Sequence, residues 1–359
     1  MHWIRRLLGL EAHPAEPFGV SEEAAAAALE ADLDAEDAQE REDDPGRPVD
    51  LSAGLDAGLD PGRPAHLEAV SQQVLALALQ AEREVERPFL AELARRLRRG
   101  DLRLPPMPQA VVKVQRLLDS PQCNVADLAH EIEVDPALTT RLVGIANSPF
   151  YQVLGPVRAL GDAVVRIGLG ETRNIVMAVT LRSRVFRVPG REVEISQLWS
   201  HSVAASLSAQ VLGACVGEDP DTCFLLGLLH DLGRVVLLSM SGEIERDSKS
   251  RQRISPELEA QLDAMLHGPL GAAVAESWRI GPDLVAAIAG HHSRGSGPMW
   301  KVARCADLMA HRIAPVEPPR SVSESDWDAA LEALGLDRES AAELEAEAED
   351  ALRTRGKRL

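Results

Sequence analysis

The sequence predicts an all-α protein. Only 3% of the residues are aromatic, whereas hydrophobic residues as a whole make up 45% of the chain. Leu, Val, Ile and Ala must therefore build the core, and these residues recur at helical spacing in one segment after another. Such a composition favours helices packed on helices over a sandwich of aromatic-rich strands. A chain of 359 residues is long enough for two helical lobes with additional tails.

The N-terminal segment, residues 1–65, is predicted to be a disordered acidic arm followed by a Pro/Gly linker. Acidic residues dominate positions 11–60, where only two Arg and no Lys occur. A segment of this kind has too little apolar surface to form a packed core. The tetrapeptide Pro-Gly-Arg-Pro at residues 45–48 returns at residues 61–64, which is typical of a linker rather than of a fold repeat.

Residues 66–100 are predicted to form a helical connector. Apolar residues at helical spacing mark one side of a first stretch, including Val70 and Val74, and of a second stretch that includes Phe89. Pro88 separates the two stretches and is expected to kink or split the helix, because proline removes an intrahelical hydrogen bond.

Short helices are predicted for the next ninety residues. The run Leu104-Pro-Pro-Met-Pro is an extended entry into the first of them. Asp135 is expected to cap a helix that has Pro136 at its first position, where a missing N–H costs nothing. Gly168 and Gly170 punctuate the last two helices. The predicted helices cover residues 111–118, 125–134, 136–146, 160–167 and 171–186.

Several motifs in this region and beyond it occur together in one order. The N-terminal motifs are Leu104-Pro-Pro-Met-Pro, Asp135-Pro-Ala-Leu, Asn147-Ser-Pro-Phe-Tyr and Ala163-Val-Val-Arg-Ile-Gly-Leu. The C-terminal motifs are Leu198-Trp-Ser-His-Ser, Gly227-Leu-Leu-His-Asp-Leu-Gly-Arg and Ile288-Ala-Gly-His-His. Over about residues 104–312, this set and its order resemble the HDOD domain, a relative of the HD phosphohydrolases.

The resemblance implies a two-lobed helical HDOD domain at residues 101–320. Its N-terminal lobe is expected at residues 101–190, and an HD-like helical bundle at residues 191–320. A C-terminal helical tail is expected at residues 321–359.

His and Asp residues of the second half could bind metal. His230 and Asp231 end an apolar helical run, and an imidazole beside a carboxylate can reach one cation. By resemblance to the HD phosphohydrolases, the first metal ion would be held by His201, His230, Asp231 and Asp307. By the same resemblance, His267, His291 and His292 correspond to the additional ligands of members that bind two metal ions. The ion would be a divalent one, namely Fe, Mn, Zn or Mg.

The helical placement of these residues is predicted as well. His201 is expected to open a helix, and His267 to lie just before a helix that begins at Pro269. The pair at His291 follows a helix over residues 282–289, and Asp307 lies within a helix over residues 301–313.

Two departures from the family bear on catalysis. The subgroup that cleaves cyclic dinucleotides has a Gly-Tyr-Pro signature after its paired His, whereas this chain continues Ser293-Arg-Gly-Ser-Gly-Pro. That subgroup usually has Lys where this chain has Arg234. A guanidinium can bind phosphate through two hydrogen bonds, and the alternative role is a charge at a helix end. For an enzyme, Asp231 and Arg234 are the candidate catalytic residues.

Two functions follow from the resemblance. The first is a regulatory signal-transduction module of bacterial type that binds a protein partner or a nucleotide second messenger without efficient catalysis. The alternative is a metal-dependent phosphohydrolase or phosphodiesterase that acts on a nucleotide phosphate. The missing Gly-Tyr-Pro favours the first, and the complete ligand set favours the second.

A basic stretch over residues 141–191 contains eight Arg and only two acidic residues. It is either a solvated helix face or a patch for an anionic partner, which could be the acidic arm itself. The candidate partner-binding residues are Arg166, Arg173, Arg182 and Arg184.

Charge and cysteine usage suggest the compartment. The net charge of −18 argues against nonspecific nucleic-acid binding by the whole chain. The four cysteines are scattered without a Cys-x-x-Cys pair, which favours a reducing compartment. No apolar run reaches the roughly 20 residues of a membrane span. A cytoplasmic location without a transmembrane segment is therefore predicted. Weak contact of residues 1–10 with a membrane surface is the alternative to a plain amphipathic turn there.

Overall fold

A computed structural model provides the fold. It describes residues 65–81, 83, 86–118, 120, 124–148, 151, 155–247, 253–293, 295–314, 322–356 and 359. These residues form α-helices joined by turns, and no β-strand occurs among them. The prediction of an all-α fold is therefore confirmed. The predicted acidic arm lies outside the described residues.

The first two helices form a hairpin. They are α1 (Ala65–Gln80) and α2 (Glu86–Arg99). The expected split is confirmed, but it falls before Pro88, which lies in the first turn of α2, where its missing N–H has no intrahelical partner to lose. Arg96 of α2 is buried and donates to Glu243 at 2.7 Å. The hairpin therefore packs against the second half of the chain.

The described residues of the segment predicted as the N-terminal lobe form five helices. They are α3 (Gln109–Leu118), α4 (Val125–Ile132), α5 (Pro136–Ala146), α6 (Leu160–Ile167) and α7 (Leu169–Arg184). The predicted cap of α5 is confirmed, because the Asp135 carboxylate accepts from Leu138 N at 3.0 Å and Pro136 follows it. α4 ends two residues earlier than predicted, since Val134 is 70% exposed and has no core to join.

The HD-like lobe and the tail supply the remaining helices. They are α8 (Glu192–Val216), α9 (Pro220–Leu229), α10 (Leu232–Asp247), α11 (Pro256–Ser277), α12 (Pro282–Gly290), α13 (Pro298–Ile313), α14 (Glu324–Leu334) and α15 (Arg338–Thr354).

Glycines bring these helices together at short range. A Cβ at Gly227 would lie 2.4 Å from the backbone oxygen of Ala205, so α9 and α8 touch backbone to backbone. A Cβ at Gly233 would lie 1.9 Å from the backbone oxygen of His267, which places α10 equally close to α11. Because His201, His230 and His267 lie on or beside these helices, the close contacts determine where their side chains meet.

The predicted helix starts were wrong by the most in α8 and α11. α8 begins at Glu192 rather than at His201, because Ile195, Leu198 and Trp199 already bury an apolar face there. Pro269 lies inside α11 instead of starting a helix. Leu262, Leu266 and Leu270 are buried on both sides of it, and this burial outweighs the roughly 3 kcal/mol cost of an internal proline.

The helical tail joins both lobes. Arg355, just after α15, donates to Gln210 of α8 at 3.0 Å and also to Glu171 of α7. Gln210 belongs to the HD-like lobe and Glu171 to the N-terminal lobe, so the tail contacts the two lobes at once.

One described stretch, Pro220–Asp247, is long and apolar enough to cross a membrane by length and composition. Of its most apolar window, 78% is buried inside the fold. It forms α9 and α10, the central helices on either side of His230 and Asp231.

Candidate metal centre

The structure brings all seven predicted ligands together. His201 lies in the middle of α8, His267 in the middle of α11 and Asp307 in the middle of α13. The other four come from two turns: His230 and Asp231 between α9 and α10, and His291 and His292 directly after α12. The donor atoms fall into two clusters, each within 4.8 Å, made of His201, His230 and Asp307 and of Asp231, His267, His291 and His292.

The first cluster is centred on one carboxylate oxygen. His201 Nε2 lies 3.1 Å from Asp307 Oδ1 and 3.3 Å from His230 Nε2. His230 Nε2 lies 3.6 Å from the same Asp307 oxygen. Two imidazole nitrogens and a carboxylate therefore converge on a single point.

The second cluster contains three imidazoles. Asp231 Oδ1 lies 3.5 Å from His291 Nε2 and 3.9 Å from His267 Nε2. His292 packs against both rings, with its centroid 4.2 Å from that of His291 and 4.9 Å from that of His267. Its Nδ1 also lies 3.7 Å from Asp307 Oδ2, which connects this cluster to the first.

Asp231 lies between the two clusters. The resemblance assigns it to the first metal ion, and its Oδ2 indeed faces that cluster, 3.4 Å from His230 Nε2 and 3.7 Å from His201 Nε2. Its other oxygen faces the second cluster. Each oxygen of this carboxylate therefore points at a different group of imidazoles.

Backbone carbonyls orient three of the imidazoles. His230 Nδ1 donates to Gly227 O at 2.8 Å, and His291 Nδ1 donates to Ile288 O at 2.8 Å. His267 Nδ1 donates to its own helix, to Asp263 O at 2.5 Å. A carbonyl can only accept, so each Nδ1 carries a proton, and each Nε2 is the ring nitrogen that points into the centre.

These groups fit divalent metal ions. Six of the seven ligands are at most 3% exposed. Asp231 Oδ1, His267 Nε2 and His291 Nε2 are buried without a hydrogen-bond partner. Buried polar atoms in this state cost about 1–3 kcal/mol each unless something compensates them. A metal ion in the second cluster would satisfy these atoms.

The charges of the site are strongly coupled. Burial would raise the pKa of Asp231, but Arg234 and His230 hold it well below its usual value. Burial would lower the pKa of His230, but Asp231 and Asp307 raise it to about 10. By contrast, burial and the neighbouring His291 lower the pKa of His292 to about 2. Burial also lowers the pKa of His267. The second cluster thus offers His267 and His292 as neutral imidazoles, and the first holds a proton on His230.

Arg234 lies at the edge of the centre, in the first turn of α10. Its Nη1 is 2.9 Å from Asp231 Oδ2, and its Nε is 3.1 Å from Asp263 Oδ1. The side chain is 20% exposed. The candidate phosphate-binding group is therefore held between two carboxylates.

Sequence reasoning missed His311, which lies on α13 one turn after Asp307. It is buried, and its Nε2 is 3.5 Å from Asp307 Oδ1. The spacing of four residues from Asp307 could have revealed it, because residues i and i+4 share one helix face.

The candidate partner-binding arginines lie apart from this centre, and the structure gives them intramolecular contacts. Arg166 donates to Ala146 O at 3.3 Å, and Arg173 lies 3.8 Å from Asp221 Oδ2. Arg182 stacks on Trp199 at 5.5 Å, and Arg184 is exposed. Their role toward a partner stays a prediction.

The helical fold and the buried His/Asp centre define an HD-like helical protein. A profile of the HDOD domain matches residues 104–294, more than half of the chain. The chain therefore belongs to the HDOD domain family.

Solved structures share this fold. A protein of Shewanella amazonensis SB2B, provisionally named a metal-dependent phosphohydrolase, is 21% identical with a TM-score of 0.54, and the match covers 78% of this chain and 100% of that one. An HDOD domain protein of unknown function from Geobacter sulfurreducens is 23% identical with a TM-score of 0.50, covering 69% and 93%. A provisionally named signal transduction protein of Marinobacter aquaeolei VT8 is 23% identical with a TM-score of 0.53, covering 80% and 64%.

Among curated proteins, an uncharacterized protein of Treponema pallidum (strain Nichols) is 26% identical over 201 residues. The match covers 54% of this chain and 39% of that protein, so the chain spans well under half of the relative's length.

Proposed function

We propose that this chain is a cytoplasmic signal-transduction module of the HDOD type whose HD-like lobe is organised by buried divalent metal ions. Its output would be the binding of a protein or nucleotide partner, without efficient turnover. The observation that carries the proposal is the set of seven convergent donors, six of them buried and several without hydrogen bonds. A fold tolerates such a set where bound metal compensates its desolvation.

The two clusters support an assignment of the ligands. His201, His230 and Asp307 would hold one ion, His267, His291 and His292 the other, and Asp231 would contribute an oxygen to each. The donors are imidazoles and carboxylates without a thiolate. This chemistry favours Fe or Zn, with Mn less favoured and Mg least, because Mg prefers oxygen ligands and retained water.

Access to the centre favours a module over an enzyme. Of the seven ligands and Arg234, only His292 and Arg234 expose a fifth or more of their side chains. Arg234, the group suited to a phosphate, already faces Asp231 and Asp263. A phosphate held by two hydrogen bonds from Arg234 would therefore compete with these carboxylates. The provisional name of the Marinobacter protein is in keeping with a signalling role.

A metal-dependent phosphohydrolase acting on a nucleotide phosphate is the second candidate. It is favoured by the position of Asp231 between the two clusters, since paired metal ions lower the pKa of a water and neutralise a phosphate. In that case Arg234 would leave Asp263 to bind a phosphate oxygen, and the partly exposed His292 would line the entrance.

The test compares the unmodified chain with Asp231→Asn, which keeps the shape of the side chain and removes its charge. Protein purified without a histidine tag and loaded with Zn²⁺, Mn²⁺ or Fe²⁺ is analysed for bound metal and for hydrolysis of bis(p-nitrophenyl) phosphate. We expect metal in the unmodified chain, loss of most of it in Asp231→Asn, and no hydrolysis above buffer in either.

A control variant separates unfolding from loss of the site. Leu229→Asp places an uncompensated charge in the core and should unfold the lobe, as seen by circular dichroism, whereas Asp231→Asn should stay helical. If the metal-loaded chain hydrolyses this substrate and Asp231→Asn does not, the module hypothesis is rejected in favour of the phosphohydrolase. A chain that takes up no metal under any loading condition would refute the metal centre.

A further inference from the structure

His311 contacts the metal centre without belonging to either cluster. It lies on α13, one turn beyond Asp307, and is 6% exposed. Its Nε2 is 3.5 Å from Asp307 Oδ1, the oxygen that His201 and His230 also face. Three imidazoles therefore surround one carboxylate oxygen.

The His311 ring also packs against that of His201. The two ring centroids are 4.3 Å apart and the planes are inclined by 30°, an arrangement close to stacking. His311 thus contacts two of the three members of the first cluster, one through its ring and one through a nitrogen.

Small residues make this contact possible. Ala204 and Ala205 of α8 pack with Ala310 of α13 in a small apolar cluster. Larger side chains there would separate the helices that carry His201 and His311. An imidazole buried beside such an apolar cluster is costly unless its nitrogens have polar partners, and Asp307 is the carboxylate next to it.

We propose that His311 is a positioning residue of the first metal site. It fixes the Asp307 carboxylate through Nε2 and the His201 ring by packing against it, so that both present their donor atoms to the same ion. Groups that orient metal ligands in this way typically change metal affinity by about 10- to 100-fold when they are removed. This inference rests on the proposed metal centre and names a residue beyond its seven ligands.

The experiment compares His311→Ala and His311→Gln with the full-length chain. Gln keeps an N–H donor that can reach the Asp307 carboxylate, whereas Ala keeps neither donor nor ring. The matched control is Met309→Ala, which removes a fully buried side chain from the same helix outside the cluster. Zn²⁺ affinity is measured by competition with a chelator, stoichiometry by elemental analysis at saturation, and ligand geometry by the visible spectrum of the Co²⁺-loaded protein.

In His311→Ala, we expect Zn²⁺ affinity of one site to fall about 10- to 100-fold, with unchanged stoichiometry at saturation and an altered Co²⁺ spectrum. His311→Gln should recover part of the affinity. Met309→Ala should lose stability in chelator while its Co²⁺ spectrum stays that of the unmodified chain. Circular dichroism verifies the fold of each variant, and the Gln variant keeps the test valid if the Ala variant fails to fold.

Each other outcome overturns the assignment. Loss of one metal ion per chain at saturation in both His311 variants would make His311 a ligand rather than a positioning residue. Unchanged affinity and spectrum would leave it a packing residue. These results presuppose metal binding by the unmodified chain. If that chain binds no metal, the proposed function fails, and this inference fails with it. If that chain binds metal but the His311 variants keep its affinity and spectrum, only this inference fails. The two failures are therefore distinguishable.

Discussion

The N-terminal lobe and the HD-like lobe are both helical, but they treat polar groups differently. In the N-terminal lobe, polar side chains form hydrogen bonds with backbone N–H and C=O groups. Asn147 donates to Val157 O at 2.8 Å and accepts from Val157 N at 2.6 Å, and Asp135 caps α5. In the HD-like lobe, seven His and Asp side chains converge at the centre, and several of their atoms have no hydrogen bond.

This difference in polar groups predicts which lobe depends on a bound metal ion for its stability. Paired polar groups stabilise a fold by about 1 kcal/mol each, whereas unpaired buried ones cost more than that. An apolar core with capped helices is stable without a bound ligand. A polar centre between closely packed helices is unstable by itself and becomes favourable when a cation binds. The HD-like lobe should therefore depend on metal, and the N-terminal lobe should not.

Removal of metal should have the largest effect. At a free metal concentration about 1,000 times the dissociation constant, binding stabilises the native state by about 4 kcal/mol, and chelation should remove this. Hydrogen exchange measured by mass spectrometry should show faster exchange in α8 to α13 after chelation and little change in α3 to α7. Equal acceleration in both lobes would contradict the comparison.

Close helix packing gives the next effect. Gly233→Ala should destabilise the chain by about 3 kcal/mol, because the new Cβ would lie 1.9 Å from His267 O and 2.5 Å from Gly271 N, and backbone cannot move cheaply. Gly144→Ala in α5 is the matched control. No atom lies within 4 Å of its Cβ, so it should gain about 0.5–1 kcal/mol. Urea unfolding measures both changes, and similar values would refute the contrast.

In the N-terminal lobe, Asn147→Ala should cost about 2 kcal/mol, since it removes two hydrogen bonds to the Val157 backbone. Its metal content should equal that of the unmodified chain. Thermal unfolding with and without chelator, together with elemental analysis, checks this. A loss of metal would show that the two lobes are more tightly coupled than their polar groups indicate.

For a change of one pH unit, the pH dependence of metal binding is the smallest of these effects. His230 has a pKa raised to about 10, so its Nε2 carries a proton near neutral pH that a metal ion must displace. Rising pH removes this competitor. Affinity should therefore increase about tenfold, or 1.4 kcal/mol, per pH unit between pH 6 and 9 and level off above about pH 10. His267 and His292 contribute nothing there, because their lowered pKa values leave them neutral.

Calorimetry in two buffers with different protonation enthalpies counts the protons released per chain at pH 7. Release of about one proton is expected from His230. No release, with an affinity independent of pH, would show that the aspartates do not hold His230 in its charged form.

Much of the fold could be predicted because its signals are local. The cap at Asp135, the break near Pro88 and the helix over residues 160–167 each depend on side chains within a few positions of one another. The His and Asp residues were recognisable because their motifs occur in the order of the HDOD family. Helix boundaries beyond these signals were less predictable. The sequence could not show that α11 continues through Pro269, since that depends on burial against neighbouring helices.

By itself, the sequence determined that the chain is helical, that it belongs with the HDOD domains and which seven side chains could bind metal. Only the tertiary structure decided that Asp231 faces both clusters, that Arg234 lies between Asp231 and Asp263, and that His311 packs on His201. Caps and helical periodicity act through neighbours along the chain. The distances within the centre instead depend on how closely α8 to α13 approach one another, and the glycines that permit this act on residues far away in sequence.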